Sequence, residues 1–168
     1  SSAEEVEWVI GNSDSKVAFV GHNPMAAGDE SKMPQHRLMQ VIEGLDKVEH
    51  FVLLPGVEGV SHEKLMSWDA FMGHGAGVET ATLHERVSAL TDDDTSALIY
   101  TSGTTGNPKG VELTHGNWNF EVQAADFAFL FDQGERYVSW LPLAHVFGQL
   151  IDNHYWVDKA MHMYVADN

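Results

Sequence analysis

Tyr100-Thr101-Ser102-Gly103-Thr104-Thr105-Gly106-Asn107-Pro108-Lys109-Gly110 is the stretch on which the reading of this chain turns. Apolar residues precede it (Ala97-Leu98-Ile99-Tyr100) and follow it (Val111, Leu113), which predicts a loop between two strands. Gly103 and Gly106 can take positive φ and bring the backbone close to a ligand, so successive N–H groups converge on an anion. Thr101, Ser102, Thr104 and Thr105 add hydroxyls that donate to phosphate oxygens or ligate a magnesium ion. Lys109 adds a mobile positive charge, and Pro108 stiffens the exit. The plain alternative is a polar surface loop. Such loops are common, but the ordered hydroxyl–glycine series closed by Pro-Lys-Gly is not.

The spacing departs from the phosphate loop of P-loop NTPases. That pattern needs Gly, four residues, then Gly-Lys-Ser/Thr opening directly into a helix. Here Asn107-Pro108 separates Gly106 from Lys109, and Gly110 leads into a strand. A Walker-type site is disfavoured.

Outward from the loop, the chain alternates short strands and helices. Residues 1–12 predict an amphipathic helix with Val6, Val9 and Ile10 inward and a Ser2/Glu5 capping box. Residues 16–20 predict a strand, 21–34 a loop, 35–46 a helix through Leu38, Val41, Ile42 and Leu45, and 51–54 a strand closed by Pro55-Gly56. This order predicts a parallel unit. Residues 61–72 predict a third helix, with Gly73, Gly75 and Gly77 forming a joint that carries His74, and 82–90 a short fourth. Asp92-Asp93-Asp94 reads as a solvated turn before a strand, with cation binding as the alternative. After the loop, residues 117–131 predict a helix with Asn117 as N-cap and Trp118, Val122, Ala125 and Phe129 on one face. Residues 137–141 predict a strand ended by Pro142. A helix over 144–159 turns Val146, Phe147, Leu150, Ile151 and Tyr155 inward, and 162–165 is a last strand. The fold class expected is α/β, with parallel-rich βαβ units and the phosphate loop on a hairpin.

Composition bounds the function. The 168 residues carry 25 acidic side chains against 9 Lys+Arg, a net charge of −16, so a basic nucleic-acid-binding face is not expected. A single local loop can still oppose that field and hold a nucleotide. With no cysteine, disulfides, thiolate catalysis and Cys-based zinc sites are excluded. No apolar run approaches the ~20 residues a bilayer span needs, and the polar, acidic start shows no signal peptide. The expected location is cytoplasmic, with peripheral membrane association as the alternative.

Tyr100 to Val111 resembles the signature phosphate loop of the adenylate-forming superfamily, which includes acyl-CoA synthetases, peptide-synthetase adenylation domains and luciferases. Trp140-Leu141-Pro142-Leu143-Ala144-His145-Val146-Phe147-Gly148 is similar to the family's downstream Leu-Pro-Leu-x-His motif, and Leu113-Thr114-His115-Gly116-Asn117 to the segment after the loop. Within the superfamily, Ser1 to Val6, Met66-Ser67-Trp68 and His145 to Gln149 resemble the long-chain fatty acyl-CoA synthetases.

The resemblance implies that residues 1–168 are a partial AMP-binding (adenylation) domain without its C-terminal lid. It implies a parent that activates a fatty acid with ATP to acyl-AMP, then forms acyl-CoA, using ATP, Mg2+ and CoA. Thr101, Ser102, Gly103, Thr104, Thr105, Gly106 and Lys109 would hold the phosphates, and Thr101 is the favoured metal ligand, with Thr104 and Thr105 as alternatives. His145 would lie near the acyl carboxylate and the α-phosphate. Its structural alternative is a half-buried histidine at a strand-to-helix turn. His115 is read as structural. The family's Tyr-Gly-x-Thr-Glu segment, ribose-binding Asp and catalytic lysine have no counterpart in these residues, so the piece alone is expected to be inactive. A non-catalytic ATP- or pyrophosphate-binding fragment and a ligase for another carboxylic acid are the alternatives.

Overall fold

The computed structural model describes residues 2–23, 28–101, 106–129 and 131–166, without the Phe129 side chain. Two compact units emerge. One comprises residues 1–88 with 100–110, the other residues 89–99 with 111–168.

The first unit opens on helix α1 (Ala3–Asn12), whose Ser2 hydroxyl accepts the Glu5 N–H at 3.2 Å as the capping pattern predicts. Strands β1 (Val17–Val20), β2 (His50–Leu53) and β3 (Leu65–Ser67) form a parallel sheet with β2 in the centre. Phe51 and Val52 of the central strand are completely buried. The neighbours of Phe51 in the core include Val20, Leu38, Ile42, Leu45, Val48 and Val57. Burying one such large side chain contributes about 1.5–3 kcal/mol, so β2 is the anchor of this unit.

Two predicted helices come out differently. In place of one helix over 35–46, α2 (Pro34–Met39) is followed by a 3-10 turn, Ile42–Gly44, because Val41 leaves helical geometry at φ −127°. Leu38, Ile42 and Leu45 are buried all the same, so two short turns deliver the side chains that one helix would have presented. In place of a helix over 61–72, residues 65–67 pair with the second edge of β2. Helix α3 (Trp68–His74) starts directly after, capped by the Ser67 hydroxyl, which accepts from the Ala70 N–H at 3.2 Å. An unpaired edge on a buried central strand is costly, and that requirement overrides the weak helical periodicity. His74 closes α3 and is exposed. Helix α4 (Thr80–Ser88) buries none of its residues.

Strands β4 (Thr95–Thr101) and β5 (Lys109–Thr114) pair as a two-stranded sheet, so the strands expected on either side of the loop are present. The loop conformation at Ser102–Thr105 lies outside the described residues.

In the second unit, α5 (His115–Phe129) follows β5 without a break. Its N-cap is Thr114 rather than Asn117. The Thr114 hydroxyl accepts the Asn117 N–H at 3.2 Å, while Asn117 Oδ1 accepts the Thr114 N–H at 3.0 Å. That reciprocal box starts the helix three residues earlier than the sequence suggested. Strands β6 (Arg136–Ser139) and β7 (His162–Val165) pair in parallel. The helix between them has three parts: α6 (Val146–Gln149), a π-helical segment (Leu150–Tyr155) and α7 (Trp156–Asp158). Tyr155 is fully buried with Ala125 and Met161 at the centre of the unit. The widened π segment also buries Asp152, whose carboxylate accepts the Ser139 hydroxyl at 2.5 Å. No helix among the described residues is long and apolar enough to cross a membrane.

Candidate functional site

The residues expected to hold phosphate fall into two groups. Ser102, Gly103, Thr104 and Thr105 lie outside the described residues. Thr101 ends β4, Lys109 begins β5, and the Thr101 hydroxyl donates to the Lys109 carbonyl at 3.5 Å. A hydroxyl used this way keeps its oxygen lone pairs for a further partner. Lys109 is exposed. Gly106 has φ +94°, the left-handed conformation expected of it, which a side chain would strain. Asn107 and Pro108 carry the chain back to β5.

The ends of the loop are tied to α1. The Trp8 indole Nε1–H donates to the Pro108 carbonyl at 2.8 Å, and the Tyr100 hydroxyl donates to Asn12 Oδ1 at 2.8 Å. Gly110 makes the second bond possible. A Cβ there would lie 3.1 Å from Tyr100 Cζ, so the phenol ring lies close over bare backbone. Burial, then the nearby Asp14 carboxylate, pushes the Tyr100 phenol above its ordinary range, so it stays a donor. Asp14 is itself held below the usual carboxylate range by Lys47. Sequence reasoning did not find Trp8 or Asn12, which carry no local signal of a bond to residues about ninety to one hundred positions away.

His145 belongs to the second unit, and the other described site residues belong to the first. Its role there is local. Exposed rather than half-buried, it is the N-cap of α6, its Nδ1 accepting the Phe147 N–H at 3.2 Å. An accepting Nδ1 leaves the neutral ring's proton on Nε2, which makes that atom a donor. The preceding turn is closed by His145 N–H to Pro142 carbonyl, 2.9 Å, and by the Gln149 amide to the Leu143 carbonyl, 2.9 Å.

Val146 and Phe147 are not in the core as predicted; they remain about half exposed and line a cavity. That cavity, about 490 Å³, is walled by Leu113, Trp118, Phe120, Val146, Phe147 and Leu150, with Asn117 and Glu121 at its margin. Trp118 is buried, its indole N–H has no hydrogen-bond partner among the described residues, and its ring stacks on His154 at 4.3 Å. Burial, then the charge of His115, lowers the His154 pKa, so this imidazole is neutral near pH 7. His115 is half-buried at the first turn of α5, with its backbone N–H on the Asp94 carbonyl.

The Asp92–Asp94 run is a turn that serves the start of α5. The Asp92 carbonyl accepts from Gly116 and its carboxylate from Asn119, while Asp94 accepts from both the N–H and the hydroxyl of Thr91. Among the described residues no group of three or more His, Asp or Glu is arranged to hold a metal. A magnesium ion at Thr101 would have one neutral protein hydroxyl and would take its remaining ligands from phosphate and water.

The chain is α/β with parallel strand pairs, as expected. The sequence pattern of the family described as AMP-binding enzyme matches residues 1–168, and the chain belongs to that family. Among individual relatives, the long-chain-fatty-acid–CoA ligase FadD15 of Mycobacterium tuberculosis is 36% identical over 156 residues, which are 90% of this chain and 23% of that protein. The peroxisomal long chain acyl-CoA synthetase 6 of Arabidopsis thaliana is 36% identical over 141 residues, 82% of this chain and 18% of that protein. The chain thus spans less than a quarter of the length of either. The crystal structure of the anthranilate CoA ligase AuaEII in complex with anthranoyl-AMP superposes with a TM-score of 0.71, covering 99% of this chain and 29% of that one. At 19% identity this is a likeness of fold.

Proposed function

We propose that residues 1–168 are the phosphate-loop portion of the adenylation domain of an AMP-forming long-chain fatty acid–CoA ligase. The observation that carries this reading is the Tyr100–Val111 stretch, set between paired strands in a chain that is 36% identical to a long-chain-fatty-acid–CoA ligase. In such an enzyme a carboxylate attacks the α-phosphorus of ATP, pyrophosphate leaves, and CoA thiol then displaces AMP from the acyl-adenylate.

The first step joins two anions, so the protein's task is to neutralise charge and to position. Lys109 and the N–H and hydroxyl groups of Thr101 to Gly106 hold the β- and γ-phosphates. Thr101 is the proposed metal ligand. Magnesium, when bound, supplies charge neutralisation on the phosphates. His145 is the proposed donor to the acyl carboxylate or α-phosphate through Nε2, an assignment supported by its capping Nδ1. The apolar cavity beside Phe147 suits part of an acyl chain.

The test is calorimetric titration of the chain with Mg-ATP, with Lys109→Ala as control. The expected result is binding that weakens at least about tenfold in the variant, the loss of a charge-assisted contact. Absence of both heat and thermal shift with the unaltered chain would overturn the phosphate-site reading. Because these residues contain no Tyr-Gly-x-Thr-Glu segment, the chain alone is expected to bind nucleotide without turnover. Fatty-acid-dependent pyrophosphate release from it would contradict that.

A further inference from the structure

The two residues to which the nucleotide reading gives the most weight at the ends of the loop, Thr101 and Lys109, each adjoin a residue bonded to α1. Tyr100, one position before Thr101, bonds Asn12, and Pro108, one position before Lys109, accepts from Trp8. Trp8 and Asn12 are i and i+4 on the same helix, so they stand on one face about one turn apart. A single rigid helix therefore holds both ends of the loop at a set separation. The bond to Pro108 is made by a carbonyl, so it orients the very peptide plane that leads into Lys109. The bond from Tyr100 depends on bare backbone at Gly110, which lets the ring reach across. Helix α1 is itself seated on the buried core of its unit through Ile10.

We propose that α1 is the bracket of the phosphate loop, with Trp8 and Asn12 as positioning residues that set Lys109 and Thr101 before nucleotide arrives. The inference rests on the nucleotide reading for its consequence, but not for the bracket itself. An unbracketed loop must lose more conformational freedom on binding, and that loss appears as weaker affinity. Phosphates would thus be held by side chains that never touch them.

Two measurements on the whole chain separate the parts of this claim. The first is amide hydrogen exchange in the absence of ligand, comparing the unaltered chain with Trp8→Phe and Asn12→Leu. Trp8→Phe keeps an aromatic ring and removes the N–H. Exchange at Thr101, Gly106, Asn107, Lys109 and Gly110 is expected to quicken about fivefold in each, the consequence of losing one net hydrogen bond, while amides of β2 stay as protected as before. The second is Mg-ATP titration of the same variants and of Tyr100→Phe. Affinity is expected to fall by up to about fivefold in each. Tyr100→Phe and Asn12→Leu combined are expected to do no more than either alone, because both remove one bond.

Unchanged exchange at the loop ends would overturn the bracket. Quickened exchange with unchanged Mg-ATP affinity would overturn the positioning role while leaving the phosphate site standing. No binding by the unaltered chain would overturn the nucleotide reading and the positioning role with it, and the exchange data would still decide the bracket. If either substitution in α1 unfolds the unit, β2 amides exchange faster as well, which overturns a local role in favour of a global one.

Discussion

Gly148 stands where a side chain has no room. A Cβ there would lie 2.8 Å from the Pro142 carbonyl oxygen, which is backbone and cannot swing aside. Gly148→Ala is expected to destabilise the chain by about 2 kcal/mol, the cost of overpacking a closed site, as read from urea unfolding. The glycine allows the Pro142 turn to close over α6 and bring His145 to its cap. His145→Ala removes the cap and is expected to cost about 1 kcal/mol. His145→Asn retains a side-chain acceptor and is expected to unfold close to the original midpoint, so a ligand defect in that variant would report chemistry rather than folding. The positive φ of Gly106 was legible at this scale, because a glycine in a tight polar loop is free to take it whatever surrounds it. The Trp8 and Asn12 bonds were not legible, because an indole N–H or an amide in a helix does not announce its partner.

Among the elements, local signals held where nothing larger opposed them. The Ser2/Glu5 box started α1 as predicted, while the Thr114/Asn117 box moved the start of α5. Thr114→Ala is expected to cost about 1 kcal/mol of stability by losing that cap, measurable as a lowered unfolding midpoint. The periodicities over 35–46 and 61–72 gave way to burial and to strand pairing. The π segment was invisible in the sequence, since one extra residue in a turn alters register without altering composition.

It also places His154 against Trp118, with a consequence for pH. The folded pKa of His154 lies below its ordinary 6.5 because burial, then the His115 charge, disfavours the imidazolium. Well above pH 6.5 the ring is neutral folded or unfolded and contributes no pH dependence. As pH falls below 6.5 the unfolded chain takes up the proton first, so stability declines until the folded form protonates too. Urea unfolding between pH 7.5 and about 5.5 is expected to show this slope, reduced in His154→Phe, which keeps a ring against Trp118.

Over the whole molecule, each unit has its own buried centre, Phe51 in one and Tyr155 in the other. Large apolar side chains nevertheless remain exposed. Phe127 is 90% exposed, Trp140 71% and Phe120 68%, while Phe19, Trp68 and Phe71 gather as an aromatic cluster. Apolar surface of this kind drives association. The chain is expected to self-associate with rising concentration in sedimentation experiments, and Phe127→Ser with Trp140→Ser to reduce it, despite a net charge of −16 that opposes it.

The sequence by itself determined the class: alternating short strands and helices, a hydroxyl–glycine–lysine loop between two of the strands, and a Pro-Leu-Ala-His turn downstream. These are properties of neighbouring residues, and local stereochemistry and chemical type suffice to express them. Only the tertiary structure decided that residues 65–67 are a strand, that His145 spends one nitrogen on a helix cap, and that Trp8 and Asn12 of α1 bond to Pro108 and Tyr100. Each of those depends on groups distant in the chain meeting in space, where buried backbone must be paired and donors must find acceptors.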